Sequence, residues 1–189
     1  MLEELGLTYE LAPVSLAKGE HKQPDYLDNI HPHGLVPAME ASLEDTRSRV
    51  IESAAICMHL ADTNPTKHMA PSPGTRQRAY WYQWIVYAVA NLDEALIPML
   101  FHTTLLAPEQ RKPEPVENGK KVWATAGPFL SQSVEGRQWL LDHFSAADVV
   151  VGYDLQVASK IGLLAGFPPL EEYFARLSAR PAYKKVFGA

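Results

Sequence analysis

Apolar positions recur at helical spacing along the C-terminal part of the chain. From Arg76 to about Leu106, Trp81, Trp84, Ile85, Ala88, Leu92, Ala95, Leu96 and Met99 follow the i, i+3, i+4, i+7 rule. That spacing predicts one long helix with a single buried face. Pro98 lies inside it, removes a donor from the ladder, and should kink it near Ile97. Pro108 to Gly119 contains three prolines and reads as a loop. A further helix is expected from about Lys121 to Val134, interrupted around Gly127-Pro128. Ser145-Ala146-Ala147-Asp148 follows the apolar anchor Trp139-Leu140-Leu141. Its Ser and Asp side chains suit reciprocal capping of a helix start, so Asp148 reads as a structural carboxylate rather than a catalytic one. Val149 to Leu164 is nearly all apolar and should be the buried core helix. A short helix from Pro169 to about Leu177 and a turn beginning at Arg180-Pro181 close the chain.

The N-terminal third has a different rhythm. Leu2 to Leu7 looks like the last turn of a helix stopped by Gly6. Tyr9 to Leu16 partly alternates apolar and polar residues and predicts a short strand, with Pro13 marking an edge. Lys18 to Asp28 is polar and reads as a loop with a short helix. Asn29 to Met39 carries Pro32, Gly34 and Pro37, and Pro37 opens a short strand. An X-Pro bond is where a cis peptide is cheap, at roughly 0.5–1 kcal/mol. A cis Val36-Pro37 would turn the Val36 backbone N–H and C=O outward, where an extended peptide could pair with them; an ordinary Pro-bounded loop stands beside it on equal terms. Arg49-Val50-Ile51 is a second short strand, and Ser53 to Asp62 an alanine-rich helix. Thr63 to Gly74, with Pro65, Pro71 and Pro73, has no periodicity. The expected organisation is an N-terminal domain over 1–63, a linker over 64–75 and an all-helical domain over 76–189.

Composition narrows the function classes. The 189 residues are 47% hydrophobic and 21% charged, enough to bury a sizeable core. Net charge is −5 and no basic run occurs, which argues against nucleic acid and anionic membrane as partners. No signal peptide is evident and no uninterrupted apolar run approaches the ~20 residues of a bilayer span, so a cytoplasmic protein is expected. The single cysteine, Cys57, excludes an internal disulfide and a CxxC redox centre. It falls mid-helix on an alanine-rich face and reads as a small core residue. His102 and His143 have no partner at metal-ligand spacing, so no metal site is expected. Tyr80, Tyr82, Trp84 and Tyr87 read as helix core or subunit surface, with the off-face members free to look into a cleft.

Five short stretches, in this order, carry a resemblance. They are Ala17-Lys18-Gly19-Glu20-His21-Lys22, His31-Pro32-His33-Gly34-Leu35-Val36-Pro37-Ala38, Glu52-Ser53-Ala54-Ala55-Ile56, Phe144-Ser145-Ala146-Ala147-Asp148 and Ala179-Arg180-Pro181. Together they resemble the cytosolic glutathione transferases over essentially the whole chain. The resemblance implies an α/β plus all-α protein: a thioredoxin-like N-terminal domain, here lacking its first strand, followed by an all-helical C-terminal domain. It implies glutathione as co-substrate, with the Val36 backbone pairing with its cysteinyl unit beside cis-Pro37. Glu52 would hold the ammonium of the γ-glutamyl end, and Ser53 with the following helix N-terminus its carboxylate. That assignment agrees with the affinity of helix N-termini for anions; a plain helix cap with an acidic neighbour is the simpler alternative. His21 and His33, with Lys22, are candidates for the glycine carboxylate, against solvated loop positions.

The implied activity is conjugation of glutathione thiolate to small electrophiles, or its use in thiol-dependent reduction, in the manner of detoxification enzymes. A homodimer is implied, with Ser53–Asp62 and Arg76–Leu106 in the interface. Three positions depart from the family pattern. His31 replaces an asparagine, and Leu35 a basic or amide side chain. The third departure is that the catalytic group that activates the thiol is expected before Met1, because the chain opens at what resembles the end of the family's first helix. A free thiol near pKa ~8.5 is mostly protonated at neutral pH, so that group matters. Two explanations stay open: an internal start in a longer enzyme, or a shortened relative. The alternative function is a non-catalytic binding or interaction protein on the same scaffold.

Overall fold

The computed structural model describes residues 1–43 and 46–188, and the chain divides into two compact units, Met1–Lys67 and His68–Ala189. In the first unit, α1 (Leu2–Leu5) is a single turn. Gly6 ends it at φ 67°, donating to the carbonyls of Glu3 and Leu2, the left-handed cap that glycine adopts without a Cβ penalty. The strand expected over Tyr9–Leu16 is absent: residues 7–15 are irregular and Leu11 is 76% exposed. An alternating pattern makes a strand only if a ladder partner exists, and the two strands present pair with each other. A 3-10 turn at Glu20–Lys22 leads into α2 (Pro24–Asn29), which has proline at its first position, where no donor is needed.

The ribbon of β1 (Ala38–Leu43) and β2 (Thr46–Ile51) is antiparallel, with Ala38 opposite Ile51 and Glu40 opposite Arg49. That last pair makes a cross-strand ion pair at 3.3 Å. α3 (Ser53–Thr63) follows at once and buries Ala54, Ile56, Leu60 and Ala61. Cys57 lies between them, half-buried rather than fully enclosed, and burial raises its thiol pKa.

The second unit is helical. α4 (Arg76–Tyr87) is capped by the Thr75 hydroxyl, which accepts from the Arg78 N–H at 3.2 Å. A π-helical turn, Ala88–Asp93, joins it to α5 (Glu94–Leu100), and a second, Phe101–Leu105, ends the run. All eight residues of the expected stripe are buried. Pro98 does not break the helix near Ile97; the irregularity appears instead as two π turns on either side of it. By length and composition Arg76–Leu105 would pass as a bilayer-crossing helix. Here its apolar stripe packs against the two helices described next.

α6 (Pro113–Val134) corrects two expectations. It starts inside the anticipated Pro108–Gly119 loop, because Pro113 and Pro115 occupy the first turn, where the missing donors cost nothing. It also runs unbroken through Gly127-Pro128. A Cβ at Gly127 would stand 2.9 Å from Phe167 Cζ, so glycine serves close packing there rather than a break.

α7 (Ala146–Lys160) is the core helix, with Val151, Leu155 and Ala158 fully buried. Its start is the capping box read from the sequence. Asp148 accepts from Ser145 N–H (2.9 Å), Leu140 N–H (3.0 Å) and the Tyr173 hydroxyl (2.6 Å). Ala146 N–H donates to Met69 O, to which Trp81 Nε1 also donates. Met69 and Pro71, expected as linker, are thereby fastened to the helical unit, since the Arg78 guanidinium also donates to Pro71 O. α8 (Pro168–Ser178) supplies Tyr173, and α9 (Pro181–Phe187) is the last helix, capped by Gly188. Between them the Arg180 guanidinium sits 3.5 Å from the Phe144 ring centre.

Candidate functional site

The register of the β ribbon decides what stands together in the first unit. Ala38 opposite Ile51 is its last rung, so Val36-Pro37 and Glu52-Ser53 emerge side by side at one end of the ribbon. The Val36-Pro37 peptide is cis, and Val36, Pro37, Glu52 and Ser53 are all exposed. Glu52 is the N-cap of α3 at φ 70°, ψ 113°, outside the left-handed helical region and a conformation that L residues rarely adopt. Holding it there costs on the order of 1–3 kcal/mol. No side chain caps α3. Its first N–H groups therefore point out of the helix start, beside an exposed carboxylate and an exposed hydroxyl.

The loop before Pro37 is held by its neighbours. Lys22 Nζ donates to His33 O at 2.9 Å, and the Tyr26 hydroxyl to Leu35 O at 2.7 Å. His31 is buried; its Nδ1 accepts from His33 N–H at 3.2 Å. Gly34, at φ 59°, lies against the 3-10 turn: a Cβ there would be 2.5 Å from His21 O. The His21 Nδ1 atom is buried without a hydrogen bond in this environment, while the His33 side chain is exposed. The sequence candidates Val36, Pro37, Glu52 and Ser53 thus converge on one ribbon end, and His21 and His33 belong to the loop packed before it. Lys22 is spent on a backbone carbonyl. The holding roles of Tyr26 and His31 had no signal in the sequence, since a hydroxyl or imidazole aimed at a loop carbonyl or amide leaves no periodicity.

The remaining candidates lie in the second unit. His102 Nδ1 accepts from Lys112 N–H at 3.0 Å, and Trp84 is buried while Tyr80 and Tyr82 are exposed. Among the described residues no three His, Cys, Asp or Glu side chains gather as metal ligands. A cavity of about 450 Å³ lies wholly in the second unit, between Val134–Gln138 and the start of α8. Its Arg176 is already committed to the carbonyls of Arg137 and Gln138.

Residues 1–63 match the family model described as glutathione S-transferase, N-terminal domain. The probable glutathione S-transferase GSTF2 of Oryza sativa subsp. japonica is 28% identical over 195 residues, 98% of this chain and 87% of the relative. Glutathione S-transferase GST-4.5 of Xanthomonas campestris pv. campestris is 29% identical over 175 residues, 92% of this chain and 82% of the relative. Along nearly its whole length this chain is similar to glutathione transferases. The crystal structure of glutathione transferase URE2P6 from Phanerochaete chrysosporium, in complex with oxidized glutathione, superposes with a TM-score of 0.83 at 26% identity. The match covers 99% of this chain and 86% of that one. The ribbon end lies in the first unit, within the residues matched by that family model, and the 450 Å³ cavity lies in the other unit.

Proposed function

We propose that the ribbon end formed by Val36, Pro37, Glu52 and Ser53 binds glutathione, the co-substrate of this transferase. The observation that carries this reading is Glu52. A non-glycine residue at φ 70° on an exposed helix start is strain that the fold gains nothing from, and such strain concentrates at ligand sites. The γ-glutamyl end of glutathione bears an ammonium and a carboxylate on one carbon. Glu52 supplies an acceptor for the first; the Ser53 hydroxyl and the uncapped N–H groups of α3 supply donors for the second. The Val36 N–H and C=O pair with the cysteinyl unit as an added strand would. His21 and His33 stand near the glycine carboxylate.

The chain's reaction is transfer of glutathione: attack of its thiolate on a small electrophile, or thiol-dependent reduction. The 1–63 part binds glutathione and the 76–189 part receives the electrophile. A homodimer through α3 and the Arg76–Leu105 run, a cytoplasmic location and a detoxifying role complete the proposal. Calorimetric titration with glutathione tests the site. Saturable binding that is weakened about tenfold or more in Glu52→Ala and less in Ser53→Ala supports it. Binding unchanged in both variants overturns it.

A further inference from the structure

The loop that leads from α2 into the ribbon is held by a short series of hydrogen bonds. Ile30 and His31 N–H both donate to Tyr26 O, at 2.8 and 2.9 Å, and Gly34 N–H donates to His31 O at 2.8 Å. His33 N–H donates to His31 Nδ1, and His33 O accepts from Lys22 Nζ. The last carbonyl before Val36, Leu35 O, accepts from the Tyr26 hydroxyl at 2.7 Å. Tyr26 therefore fastens both ends of the loop, the first with its main chain and the second with its side chain. Among the described residues the next N–H, that of Val36, has no acceptor, and Val36 is exposed. Leu35 O and Val36 N–H belong to one peptide unit. That unit is planar and trans, so its N–H points away from its C=O, and fixing one direction fixes the other. A hydrogen bond at the carbonyl also polarises the amide and strengthens its N–H as a donor.

We propose, resting on the glutathione reading of the ribbon end, that Tyr26 is a positioning residue for that ligand: its hydroxyl aims the Val36 N–H at the cysteinyl carbonyl. Tyr26 acts on the ligand only through the Leu35–Val36 peptide. Without the hydroxyl, Leu35 O is left to water and the peptide unit turns about its flanking bonds. The Val36 donor must then be ordered anew each time the ligand binds, and that ordering is subtracted from the affinity. The γ-glutamyl end does not depend on this peptide, because Glu52 and Ser53 stand on the far side of the ribbon's last rung, after Ile51.

The test compares the full chain with Tyr26→Phe, which keeps the ring and removes only the oxygen. Both are titrated with glutathione by calorimetry, and their backbone amides are followed by NMR at saturating glutathione. The dissociation constant should rise about three- to tenfold in Tyr26→Phe, the range of one lost hydrogen bond. The downfield shift that glutathione induces in the Val36 amide proton should shrink, while the response of the Ser53 amide is kept. A loss of stability alone would not move the Val36 shift of the saturated protein, so this readout separates positioning from packing. Equal affinity in the two proteins, or weaker binding with an unchanged Val36 shift, overturns the role of Tyr26 and leaves glutathione at the ribbon end. Wild type that takes up no glutathione overturns the glutathione reading itself, and the role of Tyr26 with it.

Discussion

Two helix starts in this molecule are built on opposite plans. At α7, Ser145 and Asp148 are both fully buried, and every polar group around the start has a partner: Asp148 alone receives Ser145, Leu140 and Tyr173. At α3, Glu52 and Ser53 are exposed, no side chain caps the helix, and the N-cap residue is held at positive φ. The first start holds the core in place. The second holds polar groups at the surface in an unfavourable conformation and leaves them unused by the fold. A carboxylate beside a helix start therefore means nothing by itself; its satisfaction separates structure from binding.

The widest gap between the two starts should appear on truncation. Asp148→Ala leaves the Leu140 and Ser145 N–H groups and the Tyr173 hydroxyl buried without their acceptor. A loss of about 3–5 kcal/mol in denaturant unfolding is expected, with glutathione affinity of the molecules that remain folded unchanged. Glu52→Ala should do the reverse, changing stability little while weakening glutathione binding by about 1.5–3 kcal/mol, the worth of a charge-assisted bond, in calorimetry. Gly34→Ala sharpens the contrast, because its Cβ meets His21 O and its φ is positive. It should cost roughly 1–3 kcal/mol of stability and move the loop that carries Val36, so both readouts respond. Ser53→Ala is the smallest: about 1 kcal/mol in binding and less in stability.

The helical unit was the more legible in sequence because its signal is repetitive. The stripe from Trp81 to Met99 and the box at Ser145-Ala146-Ala147-Asp148 are both present as read. Where proline was taken as punctuation the reading failed. Pro113 and Pro115 sit in a first turn, Pro128 is accommodated beside Gly127, and the π turns around Pro98 have no sequence signature. In the first unit, Tyr9–Leu16 had the alternation of a strand but no partner to pair with. Of the candidate site residues, Val36-Pro37 was readable from its X-Pro bond, while Glu52, Ser53, His21 and His33 were nameable only through resemblance to a family. Their convergence depends on register, Ala38 against Ile51, and the strain at Glu52 is a backbone property that no side-chain pattern encodes.

The most direct measurement is Glu52→Gly, read twice on the same preparation. Glycine adopts φ 70° freely, so the account predicts unfolding free energy raised, by about 1 kcal/mol, together with loss of calorimetric glutathione binding. A variant that is no more stable than wild type and binds glutathione equally well would contradict it, because Glu52 would then be neither strained nor a ligand.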